Sequence, residues 1–162
     1  MSQAKWRIVA AFSLGLSWPA HAQPSDSNGV SCKDSNPNLA ISSCSSLIQS
    51  GRLAGDTLAA AYNDRGDAYT AKYDDGHAIE DYNQAIKLKP NFAEALVSRG
   101  LAHANQQNFE LAIMDYDHAI RIDPANAKAF YRRGLAKFGL CDIDGAEQDL
   151  AKARALDPKV GK

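Results

Sequence analysis

This sequence carries no excess of positive or negative charge. Its 18 Lys and Arg stand against 19 Asp and Glu, a formal net charge of −1, which becomes −3 when the two cations Lys5 and Arg7 are removed with an N-terminal leader. A chain so balanced gives no case for nucleic acid or an anionic membrane as its partner. A long hydrophobic run is missing too: the apolar stretch Ile8 to Leu16 is too short to span a bilayer comfortably. Cysteine is scarce, with three in the chain, and no metal-ligand spacing is found. His77, His103 and His118 do not fall at i, i+4 and have no Cys partners, so each is read as structural and neither metal nor cofactor is expected. No P-loop, nucleophile elbow or isolated carboxylate pair is present.

What is present begins with a leader. Lys5 and Arg7 give a positive start, the short apolar core follows, and Ala20-His21-Ala22 is a small-x-small cleavage site. Residues 1–22 are therefore read as a signal peptide, with a mature start at Gln23 and export to the periplasm of a Gram-negative cell as the natural destination. No Cys follows the cleavage site, so no lipid anchor is expected there, and no membrane insertion after cleavage. About 140 mature residues make one domain. Residues 23–37, rich in Ser, Asn, Asp and Pro, have little to bury and are expected to be a disordered lead-in.

From Ala59 to Val160 the chain repeats itself every 34 residues. Gly66, Gly100 and Gly134 form one column, and Arg65, Arg99 and Arg133 another. Ala78, Ala112 and Ala146 recur, as do Asp81, Asp115 and Asp149. Ala85, Ala119 and Ala153 follow, and Pro90, Pro124 and Pro158 close each unit. A fixed period of this length signals stacked repeats, here 59–92, 93–126 and 127–160. Gly and Ala suit places where helix backbones approach closely, and Pro stops a helix. Asp74, Asn108 and Asp142 stand at one repeat position suited to capping a helix N-terminus. The pattern predicts helices near 57–71, 75–88, 92–106, 109–122, 126–139 and 143–156.

These columns resemble the tetratricopeptide repeat, a helix A–turn–helix B unit with a large residue, Gly and an aromatic on helix A, and Ala, an aromatic, Ala and Pro on helix B. The first unit matches with Tyr62, Gly66, Tyr69, Ala78, Tyr82, Ala85 and Pro90. The second keeps Leu96, Gly100, Ala112, Tyr116, Ala119 and Pro124, with His103 at the helix A aromatic. The third keeps Phe130, Gly134, Ala146, Leu150, Ala153 and Pro158, with Lys137 there. The resemblance implies an all-α helical solenoid.

An earlier fragment fits the same scheme. Ala40 to Ile48 aligns with Ala78 to Ile86, placing Cys44 at the aromatic position and Leu47 at the small one. Residues 38–50 are therefore read as a lone helix B, an N-terminal half-repeat within a domain of 38–162, with Gly51 and Gly55 breaking the chain before the first full unit. The whole would be seven helices. An exported protein permits disulfides, and Cys32 and Cys44, close in sequence, are expected to pair. Cys141, at the A–B turn of the last unit, is left as a buried thiol, a reactive one or an intermolecular partner.

The Arg and Asp columns recur together, which points to ion pairs across each hairpin: Arg65–Asp81, Arg99–Asp115 and Arg133–Asp149. A residue needed once, at one active site, has no reason to appear three times, so no catalytic residue is assigned. The reading is a non-catalytic protein–protein interaction module of the cell envelope, with a small enzyme, an enzyme subunit or a structural spacer as alternatives.

Its partner, a protein or peptide, would dock in the groove lined by the A helices. Residues two, five, nine and twelve of each helix A are expected to face it: Ala60, Asn63, Asp67 and Thr70; Glu94, Val97, Leu101 and Ala104; Lys128, Tyr131, Leu135 and Phe138. An apolar strip of Val97, Leu101, Tyr131, Leu135 and Phe138 would be bordered by Asn63, Asp67 and Lys128, with Tyr131 and Val97 the preferred contacts and Leu101 and Leu135 equally well explained as packing. The resemblance also brings to mind relatives that clamp a partner's terminal carboxylate. Lys128 and Arg132 match their basic pair, but Asn63 stands where a Lys is expected and Asp67 where an Asn is, and an acid there repels a carboxylate. Ile79, Ile86, Ile113 and Ile120 should cover the following helix A. At the same positions of the third unit stand Glu147 and Arg154, a polar end to the stack from which a soluble monomer is expected.

Overall fold

The computed structural model describes residues 32–162. The expected signal peptide over 1–22 and residues 23–31 of the expected lead-in lie outside the described residues. Seven α-helices follow one another, with no strand among the described residues: α1 Pro37–Gln49, α2 Gly55–Ala71, α3 Asp75–Leu88, α4 Ala93–Asn105, α5 Phe109–Ile122, α6 Ala127–Gly139 and α7 Ile143–Leu156. The bounds agree with the repeat pattern to within a residue or two. The largest difference is α2, which begins at Gly55 itself, where Thr57 Oγ1 donates to the Ala54 carbonyl at 2.7 Å.

Local chemistry sets these limits. Pro37 sits in the first turn of α1, where its missing N–H costs nothing, and the Asn36 side chain accepts from Asn38 N at 3.0 Å. Asp74 caps α3 by accepting from His77 N at 3.3 Å, and Asp142 caps α7 by accepting from Gly145 N at 3.0 Å. Asn108 departs from its column: its side chain makes no cap, and its amide donates to Gln106 Oε1 at 3.4 Å instead. Each A–B turn closes the same way. The N–H of Asp74, Asn108 and Asp142 donates to the carbonyl five residues back, on Tyr69, His103 and Lys137. That closure forces the preceding residue into the left-handed region, which Tyr73, Gln107 and Cys141 occupy at φ +59°, +64° and +62°.

Within each unit the glycine column admits the aromatic one. A Cβ on Gly66 would stand 2.6 Å from the Tyr82 ring, and one on Gly100 2.7 Å from the Tyr116 ring. In the third unit Leu150 fills the space over Gly134. Among the described residues the half-repeat α1 has no helix A of its own. At the aromatic position it carries Cys44, fully buried and joined by a disulfide to Cys32, with Cα atoms 5.1 Å apart. The short segment before α1 thus supplies, through one covalent bond, the contact that a helix A glycine supplies elsewhere. Residues 32–36, assigned to the lead-in on composition, are held against the stack by this bond and by Lys33, which pairs with Asp64 at 3.2 Å.

The stack has an inner and an outer track. The A helices touch one another, α2 with α4 and α4 with α6, whereas α3, α5 and α7 touch only A helices. Helices that reach their equivalents in neighbouring units line the concave side. Ile86, Ile113 and Ile120 are half-buried against the central core, and Ile79 against the core of the first unit. Glu147 and Arg154 on α7 are exposed. No described helix is long and apolar enough to cross a membrane.

Candidate partner-binding groove

All three Arg–Asp pairs are bidentate. Arg65 Nε and Nη2 donate to Asp81 at 2.8 and 2.7 Å, Arg99 to Asp115 at 2.9 and 2.5 Å, and Arg133 to Asp149 at 2.8 and 2.5 Å. The carboxylates are nearly buried, so this fork satisfies charges that water cannot reach. The third nitrogen has a second task. Nη1 of Arg65 donates to Ser45, that of Arg99 to Asn83 and that of Arg133 to Asp117. Each acceptor is one residue beyond the aromatic position of the preceding helix B, so every arginine ties two successive units together. Ser45 holds this place in α1, which makes the half-repeat a true member of the stack.

Lys137, at an aromatic position, takes part as well, with Nζ 2.9 Å from Asp149 Oδ2. Burial alone would raise the Asp149 carboxyl, but hydrogen bonds from Arg133 and Lys137 outweigh it and hold the group below its ordinary range. His103, the other departure from the aromatic column, has its Nδ1 buried without a partner among the described residues, and burial pushes its imidazole down.

The groove residues divide in a way that helical spacing alone did not show. Position five is sealed. Asn63 is 1% exposed and Val97 3% exposed, the latter in one cluster with Ala129 of α6. Contact between neighbouring A helices closes over this position, so Asn63 and Val97 are withdrawn from the surface offered to a partner. Tyr131, at the same position in the last unit, lies against the tail, where a Cβ on Gly161 would come within 2.5 Å of its ring. Positions nine and twelve carry the accessible apolar surface: Leu135 is 40% and Phe138 38% exposed, and Leu101 is half-buried. Lys128 is exposed. Cys141 is exposed rather than a buried thiol.

The two halves of the groove differ in charge. Toward the N-terminal end Lys33 approaches Glu94 at 3.7 Å as well as Asp64. Asp67 is raised by burial, although the Tyr82 hydroxyl donates to its Oδ1 at 2.8 Å. Toward the C-terminal end the charges are the cations Lys128 and Arg132. Arg132 has no hydrogen-bond or ion-pair partner among the described residues. It lines a pocket of about 170 Å³ between α4, α5 and α6, together with Leu101, Ala104, Asn105, Phe109, Tyr116 and Leu135. Arg132 enters the sequence reading only as half of a basic pair with Lys128, and the Tyr116 wall is not among the expected groove contacts. The signal that could have found the pocket is the change from Asp67 and Thr70 in the first unit to Leu101 and Ala104 in the second.

The TPR repeat matches residues 66–107 and 105–140. No curated protein sequence matches the chain. Among solved structures, MamA is 28% identical with a TM-score of 0.68, over 76% of this chain and 70% of its own. The second TPR domain of human RPAP3, solved with the HSP70 peptide SGPTIEEVD, is 31% identical with a TM-score of 0.59, over 62% of this chain and 83% of its own. The Sgt2 TPR domain from Aspergillus fumigatus is 28% identical with a TM-score of 0.63, over 67% of this chain and 72% of its own.

Proposed function

The chain belongs to the tetratricopeptide repeat family, and on that premise we propose that it is a non-catalytic adaptor of the cell envelope that holds a segment of a partner protein in its concave groove. The observation that carries this reading is the surface of α6, where Leu135 and Phe138 stand 40% and 38% exposed beside two cations, Lys128 and Arg132. Apolar side chains open to water and bordered by charge suit a partner segment with spaced apolar residues. The human RPAP3 domain, solved with a bound peptide, lends the reading support from within the family. An envelope location is supported by the leader-like start of the sequence and by the Cys32–Cys44 bond, which persists in an oxidising compartment. The polar outer face of α7, with Glu147 and Arg154, supports a monomer.

The test is site-specific photo-crosslinking in an intact bacterial envelope. A benzophenone side chain at Leu135 should yield a discrete adduct, and one at Met114, exposed on α5 of the outer track, should not. Adducts at Met114 alone would move the partner to the convex face. Fractionation of the same cells, with N-terminal sequencing, should find the protein in the periplasm starting at Gln23. Protein retained in the cytoplasm with residues 1–22 intact would remove the envelope role.

A further inference from the structure

The second and third units turn equivalent faces toward whatever follows them in the stack. In the second unit that face is Val97, Ala104, Phe109, Ile113 and Ile120, buried or half-buried in the central core with Ala129 and Ala136 of α6. Phe109 comes so close to the end of α6 that a Cβ on Gly139 would stand 2.7 Å from its ring. The equivalent residues of the third unit are Tyr131, Phe138, Ile143, Glu147 and Arg154. No described helix follows α7 to cover them. Glu147 and Arg154 are polar and exposed, and Tyr131 lies against Gly161 of the tail. Phe138 and Ile143 keep apolar bulk instead and stand 38% and 50% exposed, with Leu135 and Leu140 beside them in the chain at 40% each. Leu101, Ala104 and Phe109 line one pocket, so repeat equivalence places Leu135, Phe138 and Ile143 on one surface.

An end face with nothing to cover it gains by becoming polar, as the α7 half has done. The other half is a patch of large apolar side chains, the kind of surface that marks an interaction site. The stack sets its shape, because the space before it corresponds to the one that α6 fills before the second unit. Its border next to Ile143 is acidic, with Asp144 and Glu147 exposed on the first two turns of α7. The exposed cations Lys128 and Arg154 lie toward the opposite ends of α6 and α7.

We propose that an amphipathic helix of the partner docks on this end face in the place and direction of a further helix A. Its apolar stripe lies on Phe138 and Ile143, and Lys or Arg in its last turns faces Asp144 and Glu147. Charge complementarity selects a helix basic at that end, and cations at a C-terminus also suit the helix dipole. The inference rests on the groove reading above, since Leu135 belongs to both surfaces, and adds to it the conformation and charge of the bound segment.

The test is selection from displayed fourteen-residue alanine-rich helices, randomised on one face and joined through a linker at their C-terminal ends. Selected helices should carry an apolar stripe with Lys or Arg beside it. Ile143→Ser should weaken their binding about tenfold, and Glu147→Lys about threefold. A proline at the centre of the helix should abolish binding. Ile143 opens α7 and is half exposed, so Ile143→Ser should leave the melting temperature of the free protein nearly unchanged. Binders that lose affinity on Leu135→Arg but ignore Ile143→Ser, or that tolerate the proline, would overturn the end-face site and leave the groove standing. Binders with Asp or Glu in place of the cations would overturn it as well. A dimer of the protein alone, seen by sedimentation and dissolved by Ile143→Ser, would give the face to a second copy and overturn the partner helix. If neither these helices nor unstructured random peptides yield a binder sensitive to Leu135→Arg, the groove reading and this inference fall together.

Discussion

Arg99 and Asn83 belong to different repeats, yet Arg99 Nη1 donates to Asn83 Oδ1 at 2.6 Å while the rest of the same guanidinium grips Asp115. One planar side chain therefore joins helix A to its own helix B and to the helix B before it. This geometry accounts for arginine rather than lysine at the column, since an ammonium has no fork to divide among three oxygens. Arg99→Lys is expected to cost about 1–2 kcal/mol of folding stability, and Asn83→Ala about 0.5–1 kcal/mol. Urea unfolding of the two variants and of the double variant should show non-additive losses. Strictly additive losses would mean that the inter-repeat contact carries no energy of its own.

The disulfide closes a chain separation of 12 residues. In the chain-entropy account such a closure stabilises by about 3 kcal/mol. Cys32→Ala with Cys44→Ala should lower stability by about that amount. Peptide mass mapping of wild-type protein purified without reductant should recover the two cysteines cross-linked. Alkylation of both in unreduced protein would refute the bond.

Cys141 combines a left-handed backbone at φ +62° with an exposed thiol. A side chain costs about 1–2 kcal/mol in that region, partly offset by the extra freedom glycine has when unfolded. Cys141→Gly should therefore raise stability by about 0.5–1 kcal/mol and abolish any disulfide-linked dimer on non-reducing gels. A lower melting temperature in this variant would show that the thiol makes a contact worth more than the strain.

His103 should make stability depend on pH. Its folded value lies below the ordinary 6.5 because burial disfavours the cation, with Asp115 pulling the other way and Arg99 reinforcing burial. Below 6.5 the unfolded chain binds the proton more readily than the folded one, so this contribution to stability is present above that pH and is lost on acidification towards the folded value. His103→Phe restores the aromatic that Tyr69 provides in the first unit and removes the unpaired Nδ1. It should gain about 1 kcal/mol near neutrality and flatten the stability profile between pH 7 and 5. An unchanged profile would assign the acid sensitivity to another group.

Much of this molecule could be read from the residues in order. The 34-residue columns, helix limits and Arg–Asp partners are local or strictly periodic properties, and each is repeated often enough to average out a single departure. Cys44 was legible as a stand-in for the aromatic because Ala40 to Ile48 keeps the helix B register. The accessible face of the A helices was less legible. Helical spacing puts positions two, five, nine and twelve on one side, but it does not say how closely the next A helix approaches. Asn63 and Val97 vanish into that approach, and the tail lies over Tyr131, while Leu135 and Phe138 remain open.

The repeat, the helices and the ion pairs that join them are written in the order of residues, because they follow from hydrogen bonding, side-chain size and charge within a fixed period. Which groove residues meet water and which donors go unpaired depends instead on how the units pack. Burial belongs to the packing of one unit on the next: the Tyr82 hydroxyl meets Asp67 and Thr70, whereas the equivalent Tyr116 hydroxyl is buried without a partner among the described residues.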